Sequence, residues 1–369
     1  MTTKPPTQLP ELVRDSKLEV TTFQGDLTIH SQPLGRGRTE KWRRREVLGH
    51  GGYGIVWLEH KIEEDGDAES VCRAVKVVRN RGRGPIHYVR ELEALAKFSQ
   101  DKFSDFFVKF LGWYENPASD YLHIAMEYCP HGDLKNYLAH NGGKLPESEV
   151  KDIASQVLAG VVMMHRDGFA NRDIKPANIL IKSMPPGDWW VKICDFGLSK
   201  RAEDGFAFAT TTVRGTPEFM PPEILGFSTS PGRIDAFKVD MWCLGETVFQ
   251  ALTGQPVFGI PAAVGRYLEG SLNFPTEVLR HVNASGQVMS FIMSLMKAWP
   301  FQRMTSESAI KHPWMVDMTQ GEALRASETS NMVAESTETP FQYEFPQTRV
   351  PGDQLTQASG SCRGPRGTP

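Results

Sequence analysis

No apolar run in this chain of 369 residues approaches the roughly 20 residues that a membrane-spanning helix requires, so a helical membrane protein is excluded. Cysteine is scarce as well. The five present (Cys72, Cys129, Cys194, Cys243 and Cys362) lie far apart, in no metal-ligand spacing and with no secretory signal ahead of them. That pattern points to a reduced, intracellular setting, cytoplasmic or nuclear. There is no glycine after Met1 and no terminal prenylation box, so neither lipid anchor is expected. An excess of charge of one sign is also missing. With 41 Lys and Arg against 44 Asp and Glu, the net charge of −3 provides no global field to draw the chain to nucleic acid or to an anionic membrane. Internal repeats are lacking too. What remains is a soluble chain long enough for one large domain or two average ones around a sizeable core.

Composition divides the chain into three. Residues 1–41 are rich in Thr, Pro and Gly, show no sustained apolar period, and are expected to form a disordered arm. Basic residues from Arg36 to Arg45 close this stretch and fit a solvated entry into the first strand. Residues 316–369 turn to Ser, Thr, Glu, Gln, Pro and Gly around one aromatic patch, Phe341 to Phe345, and are expected to be a disordered tail. Between them the chain passes from strand-like to helix-like periodicity near Glu127 to Asp133. That change predicts an α+β architecture of two lobes with a cleft between them.

The chemistry is densest over Phe169-Ala-Asn-Arg-Asp-Ile-Lys-Pro-Ala-Asn-Ile-Leu-Ile181. Asp173 is a carboxylate able to accept a hydroxyl proton, Lys175 supplies a cation, and Asn178 is an amide placed to hold a metal ion. Upstream, Gly49, Gly51 and Gly54 punctuate two strand-like runs, where glycine lets backbone amides approach phosphate oxygens. A dinucleotide fold would need a helix after this turn, and Val56 instead begins a second strand. Lys76 lies in the middle of the next strand and needs an anionic partner. On the following helix, 88–98, Glu91 and Glu93 compete for that role, and Glu91 shares the inward face with Leu95. Val56 and Ala74 are small enough to cover a flat adenine. Asp133 fits either a ribose hydroxyl or a helix N-cap. Downstream, Asp195-Phe-Gly197 offers a second carboxylate which, with Asn178, makes an all-oxygen set suited to Mg²⁺.

With these pieces in order, residues 42–315 resemble a eukaryotic protein kinase of the serine/threonine type, with an N-lobe over 42–127 and a C-lobe over 132–315. The resemblance implies Mg-ATP as phosphoryl donor and Ser/Thr hydroxyls of protein substrates as acceptors. It also settles which aspartate is catalytic. His165-Arg166-Asp167 spells the familiar triplet, but only Asp173 has Lys two residues on and Asn five residues on. The resemblance further implies that Leu48, Val56, Ala74 and Leu180 line the adenine pocket, with Met126 at its back and the backbone at Glu127 and Cys129 on the adenine edge. Lys76, held by Glu91, would contact the phosphates, and Asn178 and Asp195 would bind the metal. Thr216 would bond Asp173 and Lys175. Glu223 would pair with Arg303, and Asp240 would brace the catalytic loop. Thr212 matches the activation-segment phosphosite, with Arg172 to receive the phosphate and an upstream kinase as partner. The main departure is Asn171 in place of the usual histidine. A buried unpaired amide there would cost about 1–3 kcal/mol and motivates the alternative of a nucleotide-binding pseudokinase or scaffold.

Overall fold

The computed structural model describes residues 9–18, 21–31, 39–51, 54–62, 71–79, 88–116, 118–196, 200–201, 216–227 and 234–316. The N-terminal half comprises α1 (Glu11–Asp15), β1 (Thr21–Gln24), β2 (Leu27–Ser31), β3 (Thr39–Gly51), β4 (Gly54–Ile62), β5 (Cys72–Arg79), α2 (Val89–Phe98), β6 (Phe110–Asn116) and β7 (Tyr121–Glu127). The strands form one antiparallel sheet in the order β1-β2-β3-β4-β5-β7-β6.

The expectation of a disordered arm over 1–41 is corrected where the structure describes it. Residues 9–18 and 21–31 form a short helix and a hairpin that continue the sheet. The physical reason is that both faces of the sheet need cover. Val78, Leu122 and Ile124 pack with Leu92 and Leu95 of α2 on one face, while Val75, Tyr114 and Ala125 on the other are covered by Leu18 and Phe23. β6 begins at Phe110, and Phe107 just ahead of it is fully buried in the core.

The C-terminal half is helical. It runs through α3 (Leu134–His140), α4 (Glu147–Arg166), β8 (Phe169–Ala170), β9 (Ile179–Ser183), β10 (Trp190–Ile193) and β11 (Lys200–Arg201), then α5 (Ala236–Thr253), α6 (Pro261–Leu268), α7 (Thr276–His281), α8 (Gly286–Leu295) and α9 (Ser306–Ala309). Its centre is α5, apolar almost all round and therefore buried on every side. Asp235 starts that helix by accepting hydrogen bonds from the Phe237 and Lys238 amides. Gly254, left-handed at φ 77°, ends it. The short hairpin β9–β10 directly follows the stretch 169–178. No helix among the described residues is long and apolar enough to cross a membrane. The expected tail lies outside the described residues from 317 on.

Candidate active site

Two residues of the site take the left-handed backbone that non-glycine residues rarely adopt: Arg172 at φ 66° and Asp195 at φ 61°. Such conformations persist only where the surroundings over-determine them. At Arg172 the determinant is Asp240, fully buried on α5. Its Oδ1 accepts the Arg172 amide at 2.5 Å, and its Oδ2 accepts the Asn171 amide at 2.9 Å. His165 completes the set from the end of α4, with Nε2 2.8 Å from Asp240 Oδ2 and Nδ1 3.0 Å from the Ser306 hydroxyl. Three polar contacts offset the cost of burying this carboxylate. His165 thus supports the brace.

Asn171 is fully buried. Its side-chain oxygen accepts the Asp173 amide at 3.1 Å, and its Nδ2 donates to the Asp195 carbonyl at 3.4 Å. The amide is therefore satisfied by backbone, and the cost that motivated the pseudokinase alternative does not arise. Below it, Phe196 lies parallel to Phe98 at 5.6 Å and tilted against Phe107 at 5.8 Å.

Asp173 is the centre of the constellation. Its Oδ2 accepts Lys175 Nζ at 2.7 Å and Asn178 Nδ2 at 2.8 Å, and Asn178 Nδ2 also reaches the Asp173 carbonyl at 2.8 Å. Burial pushes its pKa up, and the bonds from Lys175 and Asn178 only partly oppose this. Lys175 Nζ also donates to the Thr216 hydroxyl at 3.1 Å, so Thr216 reaches Asp173 through the lysine.

Lys76, on β5, donates to Glu91 Oε1 at 2.8 Å and to Asp195 Oδ1 at 3.1 Å. Burial acts to lower its pKa, but the two carboxylates outweigh burial and raise it, so the ammonium stays charged. Of the two glutamates weighed on α2, Glu91 is the one in contact. The three glycines lie where β3 meets β4, with Gly49 opposite Val56 and Gly51 opposite Gly54. Gly54 is required by the sheet itself: at φ 153°, an added Cβ would lie 2.1 Å from the Val77 carbonyl oxygen. Gly49 has open space around its Cβ position among the described residues.

The remaining residues named from the sequence lie on β3 to β7, β9 and the segments next to them. Ala74 faces Met126 across β5–β7, and Val56 faces Lys76 across β4–β5. Leu48 on β3 is exposed, Cys129 is buried, and Leu180 on β9 forms an isolated bridge with Asp133. Asp133 displays its capping role: its two oxygens accept the Asn136 amide at 2.8 Å and the Asn136 side chain at 2.7 Å. The Glu127 side chain points away from nucleotide duty. It accepts Lys192 at 2.6 Å and the Lys109 amide at 2.8 Å, and Lys182 lies at 3.4 Å. This tie from β7 to β9 and β10 left no trace in the sequence, because the three lysines are 18 to 65 residues from Glu127. Glu223 holds Arg303 through both carboxylate oxygens at 2.6 and 2.8 Å. Thr212 lies outside the described residues.

A strand-rich half and a helical half joined by the Lys76–Asp195 contact, with Asp173, Lys175 and Asn178 bonded together beside it, have the architecture of an ATP-dependent phosphotransferase. Residues 42–315 match the family model of the protein kinase domain, and the chain belongs to that family. It is similar to a probable myosin light chain kinase of Dictyostelium discoideum, 28% identical over 282 residues that make up 75% of this chain and 84% of that protein. It is also similar to the serine/threonine-protein kinases RAD53 of Saccharomyces cerevisiae, at 32% identity over 73% of this chain, and RUNKEL of Arabidopsis thaliana, at 33% over 70%. The chain spans only 32% and 17% of those two proteins. Among solved structures, Rad53 1-466 in complex with AMP-PNP superposes with a TM-score of 0.57 at 29% identity, covering 74% of this chain and 65% of that one.

Proposed function

We propose that this chain is an active serine/threonine protein kinase, transferring the γ-phosphoryl group of ATP to Ser or Thr hydroxyls of protein substrates. The observation that carries the reading is the unbroken contact set of one cleft: Glu91 to Lys76 to Asp195, and Asn178 to Asp173 to Lys175, every link between 2.7 and 3.1 Å. The serine/threonine relatives and the nucleotide-analogue complex of Rad53 support it.

In this reading the turn at Gly49, Gly51 and Gly54 covers the phosphates. Leu48, Val56, Ala74 and Leu180 sandwich the adenine in front of Met126, and the Glu127 carbonyl and Cys129 amide meet its edge. Asp133, already an N-cap, borders the ribose. Lys76 holds the α and β phosphates. The substrate hydroxyl oxygen attacks the γ-phosphorus, its proton passes to Asp173, and the bond to the β-phosphate oxygen breaks to release ADP. Lys175 neutralises the transferring group from beside Asp173.

The donor set fits magnesium. Asp195 supplies hard carboxylate oxygen, and because the Asn178 NH₂ is taken up by Asp173, its side-chain oxygen is the acceptor left for a cation. Bound there, the ion would neutralise charge on the β and γ phosphates. Phosphorylation of Thr212 by an upstream kinase would be received by Arg172.

The test is transfer of label from ATP to a generic protein substrate with Mg²⁺, beside Asp173→Asn. The variant is expected to lose about 10²–10⁴ in turnover. Wild-type incorporation no greater than that of the variant overturns the proposal.

A further inference from the structure

The helix that carries Glu91 is backed by a segment that precedes the kinase-domain match at 42–315. Val13 of α1 is fully buried in the core that also holds Leu92, Leu95 and Phe98 of α2, while its neighbour Leu12 is 45% exposed. The chain then runs along β6. Leu18 donates its amide to the Trp113 carbonyl at 2.8 Å, and Trp113 donates its own to the Ser16 carbonyl at 3.1 Å. Side chains lock the same place. The Trp113 indole donates to the Val13 carbonyl at 2.7 Å, and the Lys17 ammonium lies 4.8 Å from the Trp113 ring centre and 3.2 Å from Glu115. Gly112, at φ 130°, makes the room: a Cβ there would lie 2.7 Å from Leu18 Cγ and 2.8 Å from the Ser16 carbonyl oxygen. Both the glycine and the tryptophan are thus shaped to this segment.

A helix as short as α2, 10 residues, owes its position to packing rather than to its own propensity. Its C-terminal end is tied to the C-lobe by Lys97 and Asp167 at 3.0 Å. Its first turn, which bears Glu91, has no side-chain cap among the described residues. Apolar cover from α1 on the outer side of α2 thus adds to the packing of Leu92 and Leu95 on Val78, Leu122 and Ile124 and to the Tyr88 hydroxyl's bond to the Arg79 carbonyl at 2.6 Å in keeping α2 on the sheet, where Glu91 meets Lys76.

We propose that residues 9–18 are a positioning strap for the Lys76–Glu91 pair, with Val13 as its key residue. Seated, the strap holds α2 in the arrangement competent for transfer. Lifted, it lets α2 withdraw Glu91 while the kinase domain stays folded. The proposal rests on the role given above to Lys76 and Glu91.

The experiment uses the full chain carrying Val13→Asp, which places a carboxylate in the apolar seat. A shift of the competent state to a tenth of the population lowers kcat about tenfold, with KM for the protein substrate unchanged. Adding a synthetic peptide of residues 9–18 restores the rate, the same peptide bearing Val13→Asp does not, and Leu12→Asp on the exposed side of α1 leaves the rate as in wild type. Wild-type kcat in Val13→Asp overturns the proposal, as does a loss that the peptide fails to restore. Glu91→Gln separates the two levels of inference: if it turns over like wild type, the role of the ion pair fails; if it is slow while Val13→Asp is not, the strap alone fails.

Discussion

Each lobe buries an arginine–glutamate pair under a tryptophan, and the two are built differently. In the C-lobe, Arg303 lies 4.9 Å from the Trp242 ring centre, and all five of its N–H groups find acceptors: Glu223 through both oxygens, and the carbonyls of Lys238, Lys297 and Ala298. In the N-lobe, Arg73 lies 4.1 Å from the Trp42 ring centre and donates through Nε and Nη2 to a single oxygen, Glu59 Oε2, at 3.0 and 2.7 Å. Its Nη2 also meets His30 Nε2 at 3.0 Å, and Glu59 Oε1 has Arg44 at 3.9 Å. The difference lies in the supply of acceptors. Lys297 and Ala298 follow the end of α8, where carbonyls have no ladder to join. Within a sheet the carbonyls are engaged between strands, so Arg73 turns to a titratable side chain instead.

The largest expected effect breaks the closed pair. Arg303→Met strands Glu223 in the core and should cost about 3–5 kcal/mol of unfolding free energy by urea titration. A loss below about 1 kcal/mol would mean that the carbonyl network adds nothing.

Next comes acid. Burial, and then the Arg73 charge, lower the His30 pKa from 6.5 to about 4. A group depressed in the folded state contributes its stability above the unfolded pKa and loses it as pH falls. His30 should therefore cost up to about 3 kcal/mol between pH 6.5 and 4. His30→Gln keeps an acceptor for Arg73 and should flatten that part of the pH profile. An unchanged profile would show that the open pair does not depend on histidine.

The smallest effect is Arg73→Met, expected at about 2 kcal/mol because Arg44 stands close enough to take over Glu59. Should the loss match that of Arg303→Met, the contrast between the pairs disappears.

Much of the fold was legible because its elements are long enough to show a period. α4 and α5 span 20 and 18 residues. α1 has five residues, β1 four and β2 five, too few for periodicity to register, and residues 9–31 were accordingly expected to be disordered. The order of residues 9–18 comes from Gly112 and Trp113, some 100 residues away, and that of the hairpin from pairing with β3. At the site, Glu91 was chosen over Glu93 on helical spacing with Leu95, and it is Glu91 that meets Lys76. Asn171 was legible as an oddity but not as a satisfied one.

By itself the sequence determined the proposed reacting set. Asp173, Lys175 and Asn178 lie within five residues of each other, and bonds that local follow from the loop's own spacing. The tertiary structure decided what holds that set in place. Asn171 and Arg172 are fastened by Asp240, 69 and 68 residues away, and α2 is backed by a segment from the far end of the sheet. Buried polar groups and short helices take whatever partners the folded chain brings to them, and no local pattern records which those will be.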